Sequence, residues 1–273
     1  MTATTTPPTR AAADAADRHV GPRVAVSDAL AVSGRYLRHY TRQPQLLVFS
    51  LIQPVMFVLL FNYVFGGAIS SAPGVDNYTN FLLPGIFVQS VAFGATQTAV
   101  GLSEDLAAGV FDRFRSLPMA RSAVLVGRTT TDLVRSFIVV ILMATVGLLI
   151  GFRPEPLGLA GAIVVVASLG YAMSWLYAFV GLSVNGTETA QSASFVATFP
   201  LVFASAIFTP LETLPGWLQG FARINPITQA AEASRALSLG TPAGDHLLWT
   251  AAWVVAFLVV FVPLSVRAYT RGE

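Results

Sequence analysis

The sequence has no cysteine and no lysine. The first absence excludes disulfides, thiolate metal sites and cysteine nucleophiles. The second excludes a Walker A loop, whose lysine reaches the β- and γ-phosphates of a nucleotide. All sixteen basic residues are arginine, a bias that a GC-rich genome accounts for. Charge of either sign is scarce, at 11% of residues, whereas average soluble domains carry about 25%. Hydrophobic residues make up 54%, and mean hydropathy is +0.66. That balance fits a polytopic membrane protein and not a water-soluble globule. Catalytic sets are missing as well. His19, His39 and His246 stand at no metal-ligand spacing, and there is no G-x-S-x-G elbow. The pI near 9 does not point to nucleic acid, because the arginines are spread along the chain without aromatic interleaving.

What is present is a series of apolar runs. Residues 1–27 are rich in Thr, Ala and Pro and hold no apolar signal region, so they read as a disordered tail. Residues 28–273 then read as one transmembrane domain. Its first part, DALAVSGRYLRHYTRQPQ, sets Leu30, Tyr36, Leu37 and Tyr40 against Arg35, Arg38 and Arg42. This pattern fits an amphipathic helix on the membrane surface, or a helical lead-in to the first span. Six spans are expected, at about 45–66, 79–101, 130–151, 157–181, 190–208 and 247–267. Each is near the ~20 residues that a helix needs to cross the hydrocarbon core. Period-two alternation is absent, which argues against a β-barrel. The expected fold is therefore an all-α polytopic membrane protein.

Arginine counts orient it. With six spans, one side holds thirteen arginines and the other only Arg153, Arg223 and Arg235. The positive-inside rule places both termini in the cytoplasm. The long outer connection, 209–246, carries Trp217, Leu218, Phe221, Ile224 and Ile227 between prolines. It reads as a helical hairpin dipping into the outer leaflet with Trp217 as an interface anchor, or as a loose amphipathic loop.

One connection is unlike the rest. EDLAAGVFDRFRSLPMARSAVLVGR, residues 104–128, carries seven of the chain's thirty charged residues and lies on the cytoplasmic side. Leu106, Val110, Phe111, Phe114 and Leu117 recur at helical spacing. Glu104, Asp105 and Asp112 lie toward the start of that helix and Arg113 and Arg115 toward its end, as a helix dipole favours. Pro118 marks a break. Arg121 to Arg128 would form a second short helix leading into the third span. The same charges also suit a solvated connection that only fixes topology. Asp132 and Arg135 share one helical face at the inner end of that span, where mutual pairing or snorkelling would cover them. With no lysine for a phosphate loop, any ATP drive requires a separate ATPase pressing on this cytoplasmic surface.

At this stretch the sequence resembles the membrane subunits of ABC-2-type exporters, most closely the actinobacterial daunorubicin/doxorubicin-resistance type. Gly109, Asp112-Arg113-Phe114-Arg115, Pro118-Met119, the Val-Leu-Val-Gly-Arg of 124–128 and Asp132 carry the likeness. LPGI at 83–86, PGWL at 215–218 and NP at 225–226 agree in order. The resemblance implies six helices per subunit, a second permease subunit forming a homodimer, and two ABC ATPase subunits that bind ATP and Mg. It also implies a coupling helix after span two and re-entrant outer helices before span six. The chain itself would be no enzyme and would hold no cofactor. Glu104, Asp112, Arg113, Arg115, Pro118, Arg121 and Arg128 would meet the ATPase, with Phe111, Phe114 and Leu117 filling its apolar groove or bracing the element. The implied activity is export of an amphipathic drug, antibiotic or lipid-like substrate across the plasma membrane by alternating access. A secondary carrier or channel working without an ATPase is the alternative. The polar and aromatic residues Gln53, Phe57, Asn62, Gln89, Phe93, Gln97 and Phe199 are candidates to line the substrate path, although such residues also serve to hold helices together.

Overall fold

Residues 33–34, 44–69, 77–111 and 121–271 are described by a computed structural model; they are mostly helical, and no strand occurs among them. Helix α1 (Pro44–Leu60) continues through a π-helical segment (Phe61–Phe65) into a last turn at Gly66–Ile69. It is followed by α2 (Tyr78–Ala107), α3 (Arg121–Leu149), α4 (Pro156–Ser183) and α5 (Thr187–Phe203). A 3₁₀ turn (Leu211–Thr213) leads to two short helices, α6 (Gly216–Ile224) and α7 (Pro226–Ser238), and the chain closes with α8 (His246–Arg271). The expected spans all fall on helices. The fifth does so only to Phe203, after which the Ala204 N–H closes the last turn on the Pro200 carbonyl.

The centre of the fold is α2, which packs against α1, α3, α4, α5 and α7. Encirclement explains its composition. Gln89, Ser90 and Thr98 are buried within the protein, so they need not face hydrocarbon. By length and composition three helical stretches suit a bilayer crossing among the described residues: Val124–Leu149, Pro156–Ser183 and His246–Thr270. The last is buried least and presents Leu248, Val255, Val259 and Val260 outward. Close approach of α4 to α2 depends on glycine. A Cβ at Gly181 would lie 2.7 Å from the Ala99 Cα, and one at Gly170 would lie 3.0 Å from the Val91 Cβ.

The connection 209–246 is a packed hairpin and not a loose loop. Asn225 caps α7 by accepting from the Ile227 N–H at 2.9 Å, and its amide donates to the Leu201 and Ala204 carbonyls. Helix α7 is buried over most of its length against α2, α4 and α8. The five apolar residues expected to share one face are divided. Trp217, Phe221 and Ile224 of α6 remain exposed, while Ile227 enters the core, because the turn at Asn225–Pro226 rotates α7 away from α6. Arg235 ties the hairpin down. It donates to the Phe81 carbonyl at 2.9 Å and the Ala206 carbonyl at 3.2 Å, pairs with Glu232 at 2.5 Å, and lies 3.6 Å above the Phe81 ring.

Two expectations about the charged connection change. The helix expected to run through Leu117 stops at Ala107, because Gly109 takes φ +64° and its N–H turns back to the Leu106 carbonyl. Glu104 and Asp105 therefore end a helix, where the dipole disfavours them, instead of beginning one. The short helix expected at 121–128 is instead the start of the continuous, 29-residue α3. Gly127 does not interrupt it, and its carbonyl accepts from Ser33 Oγ at 3.0 Å and Thr131 Oγ1 at 2.8 Å. Ser33 and Gly34 are helical and dock there. The remainder of the expected surface helix, the 1–27 tail and the turn around Pro118 lie outside the described residues.

Candidate functional site: a buried charge ladder and the cavity beside it

Helices α2 and α3 run antiparallel, and their facing stripes are complementary. On α2 the stripe is Gly94, Thr98, Gly101 and Asp105, at helical steps of four, three and four. On α3 it is Arg128, Asp132 and Arg135, at steps of four and three. Gly101 makes room for the Arg128 guanidinium, while Gly94 only touches that of Arg135. A Cβ at Gly94 would meet Arg135 Nη2 at 3.4 Å, and one at Gly101 would overlap the Arg128 guanidinium.

Asp132 sits at the middle rung and is 1% exposed. Thr98 Oγ1 donates to its Oδ2 at 2.7 Å. Arg135 Nη2 lies 3.5 Å from its Oδ1, and Arg128 Nε lies 4.0 Å from Oδ2. Arg128 Nη1 also faces Asp105 Oδ2 at 3.6 Å, and Nη2 donates to the Gln97 carbonyl at 3.4 Å. Arg135 Nη2 donates to the Gly94 carbonyl at 2.5 Å. Two arginines thus meet two carboxylates, and the ladder is formally neutral. Asp132 and Arg135 do not snorkel; both are buried, and they pair with each other. The ladder gives Asp105, Thr98, Gly94 and Gly101 roles that sequence reasoning missed. The spacing of Arg128, Asp132 and Arg135 carried a signal, whereas the glycines on α2 carried none.

Beyond Arg135 lies a cavity of ≈ 110 Å³ between α1, α2 and α3, walled by Gln53, Gln89, Ser90, Phe93, Gly94, Gln97, Arg135 and Ser136 among others. Of the residues expected along a substrate path, Gln53, Gln89, Phe93 and Gln97 meet here. The other three lie elsewhere. Phe57 stacks with Phe61 and Phe208, Phe199 stacks with Phe203 at 4.3 Å, and Asn62 accepts from Thr79 Oγ1 at 2.7 Å. The rings nevertheless connect: Phe93, Phe195, Phe199, Phe203, Phe208 and Phe61 follow one another at centroid distances of 4.3 to 6.1 Å. Phe195, Phe199 and Phe203 are exposed on α5, as are Ile52, Met56 and Leu60 on α1 and Tyr63 in the π-helical segment.

Of the residues expected to meet an ATPase, Glu104 is exposed in the last turn of α2, Arg121 opens α3, and Arg128 is turned inward to the ladder. Asp112, Arg113, Arg115 and Pro118 lie outside the described residues, as do Phe114 and Leu117. Phe111 braces its own chain. It is buried, meets Tyr269 edge-on at 5.1 Å, and joins a cluster with Leu102, Leu125 and Trp175.

The pattern of helices and ladder belongs to a chain with known relatives. Over 248 residues it is 38% identical to a daunorubicin resistance ABC transporter permease protein of Streptomyces coeruleorubidus, covering 90% of this chain and 87% of the relative. It is 25% identical over 255 residues to a probable doxorubicin resistance ABC transporter permease protein of Mycobacterium tuberculosis, covering 92% and 91%. A putative transport permease of Pyropia yezoensis matches at 25% over 217 residues, covering 78% and 74%. The ABC-2 type transporter family matches residues 28–239, from the lead-in to α1 to the end of the outer hairpin. The chain is a member of the ABC-2 type transporter family.

Proposed function

We propose that this chain is the permease subunit of an ATP-driven exporter in the plasma membrane. Residues 28–273 form one domain of six crossings, with both termini in the cytoplasm. A second copy of the chain completes the pore, and two separate ATPase subunits bind ATP and Mg and dock on the cytoplasmic side. The cargo is an amphipathic drug, antibiotic or lipid-like molecule, moved by alternating access. The chain catalyses no reaction of its own.

The charge ladder carries this reading. It links Asp105 and Arg128, at the edge of the charged connection, to Arg135 on the cavity wall. A push on that connection would reach the cavity through paired, buried groups on two rigid helices. The exposed faces of α1 and α5 support the second copy. They mix apolar residues with Gln53, Gln191 and Ser192, whereas the outward face of α8 over Leu248–Val260 is almost wholly aliphatic and suits lipid. Charge reversal of Arg115 or Arg121 tests the docking surface. Loss of ATPase co-purification and of efflux is expected; variants that retain both overturn the assignment of this connection.

Buried Asp132 is the one observation that favours a secondary carrier. Its pairing with two arginines weighs against a free proton site. Export driven by a pH gradient, with no ATPase present, would reverse the preference.

A further inference from the structure

The ladder leaves one side of Arg135 unused. Its Nη2 serves the Gly94 carbonyl and Asp132, but Nε and Nη1 have no protein partner among the described residues. A guanidinium has five N–H donors, and a buried one with spare donors calls for acceptors. Across the same cavity Gln89 is 2% exposed, and its Oε1 accepts no hydrogen bond. A buried amide oxygen without a donor costs free energy until something satisfies it. Neither shortfall is met by the neighbouring helices, and both residues line one cavity.

The charge state narrows the ligand. Asp132 already neutralises Arg135 at 3.5 Å, and the other ladder pair, Arg128 with Asp105, is balanced too. A second carboxylate would have to compete with Asp132 for the same cation. A neutral carbonyl need only accept from the unused donors. We propose that this cavity binds the polar head of an amphipathic ligand that carries a neutral carbonyl oxygen and an N–H or O–H donor. Arg135 donates to the carbonyl, Gln89 Oε1 accepts from the donor, and Phe93 supplies an apolar wall. The site deepens the export reading, for it names the chemistry that the substrate presents.

The cysteine-free chain offers a direct test. Gln53 is exposed on α1 and lines the cavity, so Gln53→Cys installs a single reporter thiol in the full-length chain. Its rate of modification by a small methanethiosulfonate would be followed in lipid nanodiscs, without ATPase or ATP. Three probes of matched size are added: naphthalene-2-carboxamide, 2-acetonaphthone and 2-ethylnaphthalene. The first two should slow modification, and the third, with no acceptor, should not. Arg135→Gln should raise the half-protecting concentration of both carbonyl probes at least about tenfold. Gln89→Leu should weaken the carboxamide about fivefold and leave the ketone unchanged. Equal protection by 2-ethylnaphthalene, or protection unchanged by Arg135→Gln, overturns the proposal. If Arg135→Gln does not fold, the split between carboxamide and ketone in Gln89→Leu decides alone, and its absence refutes the site. No ATPase takes part, so a chain that binds but does not export refutes the export reading and not this one.

Discussion

Asp132→Ala is the most demanding perturbation of the ladder. The substitution removes the acceptor for Thr98 Oγ1 and the carboxylate 3.5 Å from Arg135. A hydrogen bond to a charged group contributes about 1.5–3 kcal/mol. Breaking a buried ion pair by removing one partner costs about 3–5 kcal/mol, because the other charge is left uncompensated. These terms overlap, and hydrogen bonds within membrane proteins are often weaker than that. A net loss of about 4 kcal/mol is therefore expected. Asp132→Asn keeps the volume and the acceptor but not the charge, and should cost about 2–3 kcal/mol. The pair Asp132→Leu with Arg135→Met removes both charges of the central rung and should lie within about 2 kcal/mol of the parent. Equilibrium unfolding in mixed micelles, followed by tryptophan fluorescence, of the parent, Asp132→Leu, Arg135→Met and the pair supplies the four corners of the cycle. A coupling below about 0.5 kcal/mol, or a double variant less stable than Asp132→Ala, would refute the ladder as a cooperative unit.

Other outcomes follow from packing. Gly181→Ala forces a Cβ into the Ala99 backbone and should cost about 2–3 kcal/mol, whereas Gly220→Ala, which meets nothing in α6, should stabilise by about 0.5–1 kcal/mol; thermal unfolding in nanodiscs separates them. Arg235→Ala strips two carbonyls and Glu232 of their donor, and should cost about 3–5 kcal/mol. The same variant should open residues 209–246 to protease added from the outer side, and an unchanged digestion pattern would count against Arg235 as the hairpin's tether.

Helix positions were legible because the chain's charges are so few. Apolar runs bounded by charge, proline or asparagine fall on α1 to α5 and α8 with small errors at the ends. Where the reading failed, a backbone property outweighed side-chain period. Leu106, Val110, Phe111 and Phe114 recur at helical spacing, but Gly109 between them adopts a left-handed conformation and ends α2. Phe111 then turns inward to Tyr269, in keeping with the bracing role that was one of its two expected ones. In the outer connection, an apolar face drawn through Ile224 and Ile227 ignored the rotation that Asn225 and Pro226 impose.

The ladder was half legible, and the reason bears on function. Asp132 and Arg135 could be paired from spacing along α3 alone. Their partners Thr98 and Gly94 lie on α2, more than thirty residues earlier; Gly94 contributes a backbone carbonyl, and the neighbouring Gly101 contributes space for Arg128. A glycine gives no chemical signal in a single sequence. It becomes informative only when a long cation occupies the room it leaves. The liners show the same asymmetry from the other direction. Gln53, Gln89 and Gln97 were chosen for being polar in apolar runs, and they converge on one cavity, but the group that gives this cavity its chemical preference is Arg135. From its place in the sequence it reads only as a charge needing cover at the membrane edge. Being covered on one edge only, by Asp132 and the Gly94 carbonyl, it has donors left to offer. In a bilayer-sized helix bundle such a half-satisfied cation is costly unless something else visits it.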